Sequence, residues 1–156
     1  MNTPPVARIG IIGLGATGSA AARRLLASGL PDLALTVFDK VPAHCEPFRG
    51  SATLAVSAQE ALLESDLLLL ALPAAREIDR TLERFSDGQV GVEVRGKLLW
   101  NLRARPQAPA GLREAVEAAG ADYVPDHAGA AQLEDLLRRR FDAARARAVV
   151  AAMLGA

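Results

Sequence analysis

Short apolar runs alternate along this chain with longer segments whose apolar positions recur every three to four residues, the rhythm of strands alternating with helices. Arg8–Ile12 reads as a first strand, and Ala16–Ala27 as a helix ended by Gly29 and Pro31. Leu33–Phe38 is a second strand. Residues 40–49 hold Pro42 and Pro47 and read as a loop or a short broken helix. Thr53–Val56 follows as a third strand. Ser57-Ala58-Gln59-Glu60 then matches a capping box opening a helix that runs to Glu64. The uninterrupted run Leu67-Leu68-Leu69-Leu70-Ala71-Leu72, stopped by Pro73, is the pattern of a central strand buried on both faces. A helix over Ala75–Phe85 places Ile78, Leu82 and Phe85 on one stripe, with Arg76, Asp79, Arg80 and Glu83 elsewhere. Lys97–Asn101 is a fifth strand. A helix over Ala110–Ala119 and a short strand at Tyr123-Val124 follow, and Ala131–Leu154 reads as one helix with Leu133, Leu137, Phe141, Ala144 and Ala148 on one face. The order predicts an α/β Rossmann fold: a doubly wound, mainly parallel sheet in the order 3-2-1-4-5-6, with a C-terminal helix. Residues 1–130 form the predicted dinucleotide-binding domain, and residues 131–156 a helix that packs on it or on a second subunit.

The junction of the first strand and helix carries the chemistry. Gly13-Leu14-Gly15-Ala16-Thr17-Gly18 is a Gly-x-Gly-x-x-Gly turn in the strand–turn–helix context that gives this pattern meaning. Gly13 permits the tight turn, Gly15 lets the backbone approach a pyrophosphate, and Gly18 lets the helix pack closely on the strand. The helix start offers unpaired N–H groups and a positive dipole end to the phosphates. Asp39 stands at the end of the second strand, about 20 residues beyond Gly18, where an acid takes the adenosine ribose hydroxyls. An acid there repels a 2′-phosphate, so NAD is the expected cofactor. Lys40 beside it could reach such a phosphate and keeps NADP open.

Composition narrows the partners. The 18 basic and 18 acidic residues cancel, giving no global electrostatic case for nucleic acid or an anionic membrane. Cys45 is the single cysteine, and His44 and His127 are the two histidines, too few for an intramolecular disulfide or a predicted metal site. The apolar runs are too short to span a bilayer, and the N-terminal residues lack a signal-peptide pattern; a cytoplasmic protein is the expectation.

Taken together, Ile9–Gly18, Val37-Phe38-Asp39-Lys40, Ser57-Ala58-Gln59-Glu60-Ala61, Ser65-Asp66 and Leu72-Pro73 resemble the cofactor-binding half of the β-hydroxyacid dehydrogenases, the family of 3-hydroxyisobutyrate and 6-phosphogluconate dehydrogenases. The resemblance covers roughly residues 6 to 130. It implies that Gly13, Leu14, Gly15, Ala16, Thr17 and Gly18 line the pyrophosphate turn, that Asp39 and Lys40 meet the adenosine ribose, and that Leu72, Pro73 and Asn101 lie beside the cofactor further along the sheet. It also implies an oxidoreductase acting on a CH–OH group, and dimerisation through the helices that follow the cofactor domain.

The family's catalytic residues have no counterparts. Its Asp-x-Ser-Thr motif is replaced by Trp100-Asn101-Leu102-Arg103, and its Ser-Gly-Gly loop by Asp126-His127-Ala128-Gly129. No lysine follows Lys97, and the chain does not extend through a helical catalytic domain. Alcohol oxidation needs a group to accept the hydroxyl proton, for which His127, Asp126 and Asn101 are weak candidates. Arg103 and Arg105 offer a clamp for an anion. Two readings stay open: the cofactor half of a dehydrogenase completed by a second domain or partner chain, and a stand-alone, non-catalytic NAD(H)-binding regulatory or scaffold module.

Overall fold

The structure is a computed structural model that describes residues 6–102, 109–125 and 128–155. A parallel sheet of six strands runs through its middle: β1 (Ala7–Ile12), β2 (Leu33–Phe38), β3 (Thr53–Leu54), β4 (Leu67–Leu70), β5 (Leu98–Asn101) and β6 (Asp122–Tyr123). The spatial order is β3-β2-β1-β4-β5-β6, the Rossmann order expected from the sequence. Helices α1 (Ala16–Ala27), α2 (Pro42–Cys45), α3 (Ala58–Leu63), α4 (Ala75–Thr81), α5 (Leu112–Ala118), α6 (Ala130–Leu137) and α7 (Ala143–Leu154) connect or follow the strands.

The four consecutive leucines of β4 show why its sequence does not alternate. Leu67 and Leu69 pack into the core beneath α1, α6 and α7, whereas Leu68 and Leu70 pack into the core beneath α3, α4 and α5. All four are fully buried, and each contributes about 1.5–3 kcal/mol of apolar burial. β1 is registered against both β2 and β4, Ile12 facing Phe38 on one side and Leu70 on the other. The chain therefore reverses its direction of sheet growth beside β1, opening a crevice at the carboxyl ends of β1 and β4.

Several element ends shift by one or two residues from those read in the sequence, among them β4, which ends at Leu70, α5 and β6; three differences carry a structural reason. The α4 helix stops at Thr81: Glu83 adopts a left-handed φ of 52°, and the turn leaves Phe85 67% exposed instead of extending the Ile78–Leu82 stripe. β3 holds only Thr53 and Leu54, because Ala55 leads directly into the Ser57 cap. The single helix expected from 131 to 154 is two. Asp142 starts the second by accepting a hydrogen bond from the Arg145 N–H, and the register of buried positions resets. Leu133, Leu137 and Phe141 stay buried, but Ala144 is exposed and α7 turns Ala146, Val149 and Val150 inward. These side chains join the core that holds Ile9 and Ile11, and α7 packs along α1. Arg145 fastens α7 to the α1–β2 turn through Asp32 (3.0 Å) and the Pro31 carbonyl (3.2 Å).

Candidate functional site

At the end of β1 the three glycines meet different surroundings. Gly13 has a φ of 100°, and a methyl group there would press on the Ala71 carbonyl. A methyl on Gly18 would fall on the Gly13 carbonyl oxygen, so α1 reaches this close to the turn only without a side chain. Gly15 differs: its φ is −69°, and a Cβ there would meet nothing within 4 Å. No contact within the protein requires Gly15 to be glycine.

What Gly15 faces is a cavity of about 500 Å³ at the carboxyl ends of β1, β2 and β4. Gly13, Gly15, Asp39, Lys40, Leu72 and Pro73, all singled out from the sequence, line it together. The remaining sequence candidates lie elsewhere. Leu14 is buried beneath the turn, with its N–H bound to Asp39. Gly18 is a packing position, and Ala16 and Thr17 form the first turn of α1 outside the cavity lining. Asn101 is buried at the carboxyl end of β5, also away from that lining. His127, Asp126, Arg103 and Arg105 lie outside the described residues.

The start of α1 suits an anion. It has no side-chain cap and no acidic residue in its first turn, so neither neutralises the positive end of its 12-residue helix dipole. α3 is different: Ser57 Oγ accepts from the Glu60 N–H, and Glu60 reaches back to the Val56 N–H at 2.8 Å. The expected capping box is thus present, with its return bond one residue further out.

Asp39 is more engaged than its motif position suggests. Oδ2 accepts the Leu14 N–H at 2.7 Å and Oδ1 the Val41 N–H at 2.8 Å, with His44 Nδ1 3.2 Å from Oδ1. The carboxylate thereby ties the glycine turn to the loop after β2. Burial by itself would raise its pKa, but these hydrogen bonds and the adjacent His44 outweigh burial and hold it below the ordinary value. Cys45 is buried behind this loop, and its desolvation pushes the thiol pKa up, which keeps it protonated rather than nucleophilic.

Val41, His44, Val56, Ser57, Gln59, Glu77, Arg80 and Thr81 complete much of the lining and were not read from the sequence as site residues. Arg80 was visible only as part of the polar face of α4; the turn at Pro73 and Ala74 brings that face over the cavity. Lys40 Nζ stands 3.4 Å from Glu77 Oε2 across the opening. Among the described residues there is no group of three or more His, Cys, Asp or Glu placed to hold a metal ion, and no helix long and apolar enough to cross a membrane.

Similar folds occur in solved oxidoreductases. A reductive aminase from Aspergillus terreus is 26% identical with a TM-score of 0.64, the match covering 96% of this chain and 60% of that one. The imine reductase BcSIRED from Bacillus cereus BAG3X2 is 25% identical with a TM-score of 0.55, covering 75% and 41%. An imine reductase from a Pseudomonas species is 23% identical with a TM-score of 0.58, covering 76% and 40%. The chain thus spans about 40 to 60% of the length of these proteins. A reductive aminase from A. terreus has been solved with NADPH and ethyl levulinate. No curated protein matches the chain. Residues 8–94, more than half of the sequence, match the family described as NADP oxidoreductase, coenzyme F420-dependent. With the Rossmann strand order and glycine turn already in place, this match identifies the chain as a member of that family of NADP oxidoreductases.

Proposed function

We propose that this chain is the cofactor-binding part of an NADP(H)-dependent oxidoreductase, holding the dinucleotide over the carboxyl ends of β1, β2 and β4. One observation carries the reading. Packing accounts for Gly13 and Gly18, whereas Gly15 is bare on the side that opens to the cavity, beside a helix start with no side-chain cap. A pyrophosphate fits that combination: close backbone approach, free N–H groups and a positive dipole end. Asp39, Lys40 and His44 then lie at the ribose end, and Leu72, Pro73 and Asn101 toward the nicotinamide end.

The cofactor proposed is NADP(H). An NAD preference rested on repulsion between Asp39 and a 2′-phosphate, and the family and the NADPH in the A. terreus complex do not support it. The physical counterpart is that Asp39 already receives two backbone N–H groups and faces His44, while Lys40 and Arg80 bring cations to the same cavity. When bound, the dinucleotide supplies or accepts a hydride at its nicotinamide ring.

The substrate proposed is a carbonyl or imine carbon, or the corresponding alcohol or amine. This class is shared by the β-hydroxyacid dehydrogenases that the sequence resembles and the reductases named among the structural neighbours. The proton-transferring group and the walls around the substrate are assigned to a further domain or a partner chain. Titrating the purified chain with NADPH and NADH, read by cofactor fluorescence, tests the central point. NADPH is expected to bind the more tightly. No binding of either at about 1 mM, or tighter binding of NADH, would overturn the proposal.

A further inference from the structure

The cavity contains a carboxylate that recognition of a phosphorylated ribose does not require. Glu77 stands in the first turn of α4 with its side chain only 18% exposed, and Oε2 lies 3.4 Å from Lys40 Nζ. Lys40 is 79% exposed, and the ion pair to Glu77, 37 positions away in sequence, directs its long side chain across the cavity. Arg80 lies one turn beyond Glu77, on the same side of α4, and lines the same cavity. Among the described residues, its guanidinium has no ion pair or side-chain hydrogen bond.

Lys40 and Arg80 therefore line one cavity together with Glu77, which is paired to Lys40. Asp39, the other acid in the lining, is already engaged by Leu14, Val41 and His44, whereas the side-chain partner of Glu77 is Lys40. Glu77 thus occupies a cation that a ribose phosphate would also use. An incoming 2′-phosphate must win Lys40 from Glu77 and meets the like charge of Glu77 as it does so. A ribose with free hydroxyls brings no such charge.

We propose that Glu77 is a specificity-determining residue: an internal anion that holds Lys40 in the free protein and sets the ratio of NADPH to NADH affinity. This inference rests on the cavity being a dinucleotide site, as proposed above. Glu77→Gln keeps the length and shape of the side chain and removes its charge. It should release Lys40 to the phosphate and strengthen NADPH binding by roughly twofold to fivefold, with NADH changed by less than about twofold, as expected for an ion pair whose lysine is largely exposed. The gain should shrink as salt screens the interaction.

The experiment titrates the wild type, Glu77→Gln, Lys40→Met and the double variant with both cofactors, at low and high salt. Support is a raised NADPH-to-NADH affinity ratio in Glu77→Gln that disappears when Lys40 is also replaced. Glu77→Asp provides a second test, because its shorter carboxylate keeps the charge near the helix start but withdraws it from Lys40; an intermediate ratio is expected. A ratio unchanged in variants that still bind, or a gain that persists without Lys40, overturns the role of Glu77 and leaves the dinucleotide site standing. Failure of the wild type to bind either cofactor overturns both.

Discussion

Replacing Gly15 by valine and, separately, Gly18 by alanine should separate ligand recognition from folding within a single turn. At Gly15 the backbone is already in a region open to any residue, with φ at −69°, and an added Cβ touches nothing within 4 Å. Gly15 also caps α1, and a valine is the poorer cap by about 0.5–1 kcal/mol. The loss is offset by about 0.4–1 kcal/mol from reduced freedom of the unfolded chain. The two nearly cancel, so Tm should move by less than about 3 °C for a chain of this size. Binding should respond differently. A branched side chain at Gly15 fills the approach to the turn and displaces a phosphate from the N–H groups of α1. Each charge-assisted hydrogen bond lost is worth about 1.5–3 kcal/mol, and losing one weakens NADPH roughly tenfold to a hundredfold. Gly18→Ala should show the opposite pattern. Its methyl would fall on the Gly13 carbonyl oxygen, where the obstacle is backbone. The strain costs about 3 kcal/mol and lowers Tm by roughly 6–12 °C. Thermal melts with and without NADPH, combined with fluorescence titration, read both quantities. A stable Gly15→Val protein that binds NADPH as the wild type does would refute the phosphate role of the turn. A Gly15→Val protein that unfolds would refute the claim that no internal contact requires glycine there.

Two further outcomes follow from charges the fold has placed. Asp39 and Asp122 both have pKa values lowered from the ordinary carboxylate value: burial opposes the shift in each, but Leu14, Val41 and His44 prevail at Asp39, and Arg140 and Arg139 at Asp122. A depressed folded-state pKa contributes stability that is fully present above the unfolded value of 3.8 and is lost as pH falls through the folded value. Asp39→Asn and Asp122→Asn should therefore each flatten the acid limb of the stability profile below about pH 4, with chemical denaturation across pH as the measurement; an unchanged limb in both would contradict the assignment. Arg140 donates to the carbonyls of Gly96, Lys97 and Leu136 and to Asp122, with its side chain 7% exposed. Arg140→Met should cost about 2 kcal/mol in a denaturant titration, because it removes the donor from the part-buried Lys97 and Leu136 carbonyls and leaves Asp122 with Arg139 alone; a loss below about 1 kcal/mol would show that water replaces the guanidinium.

What the sequence disclosed and what it concealed follow the range over which each signal acts. Strand order was legible because β4 is an unbroken leucine run and each crossover helix has its own local stripe; neither depends on distant contacts. The glycine turn was legible for the same reason. The errors arose where a local period continues past the point at which the backbone turns. Leu133, Leu137 and Phe141 set a stripe that Ala144 extends on paper, yet the Asp142 cap opens a new helix that turns Ala144 outward while Ala148 still packs against the core. Phe85 likewise continues the stripe of α4, but the left-handed turn at Glu83 puts it outside. The site was half legible by the same rule. Gly13, Gly15, Asp39, Lys40, Leu72 and Pro73 belong to local signatures and meet at one cavity. Glu77 and Arg80 belong to no signature; they are polar positions on an amphipathic helix, indistinguishable in sequence from Arg76 or Asp79. Asp39 shows the intermediate case. Its position was legible, but its hydrogen bonds to Leu14 and Val41 were not. Those two N–H groups and His44 hold the carboxylate ionised and fix its position, with Oδ2 on the glycine turn and Oδ1 on the loop after β2. If the cavity takes the dinucleotide as proposed, cofactor choice there is expected to turn on the charges of Lys40, Arg80 and Glu77, which α4 brings to the same cavity as Asp39.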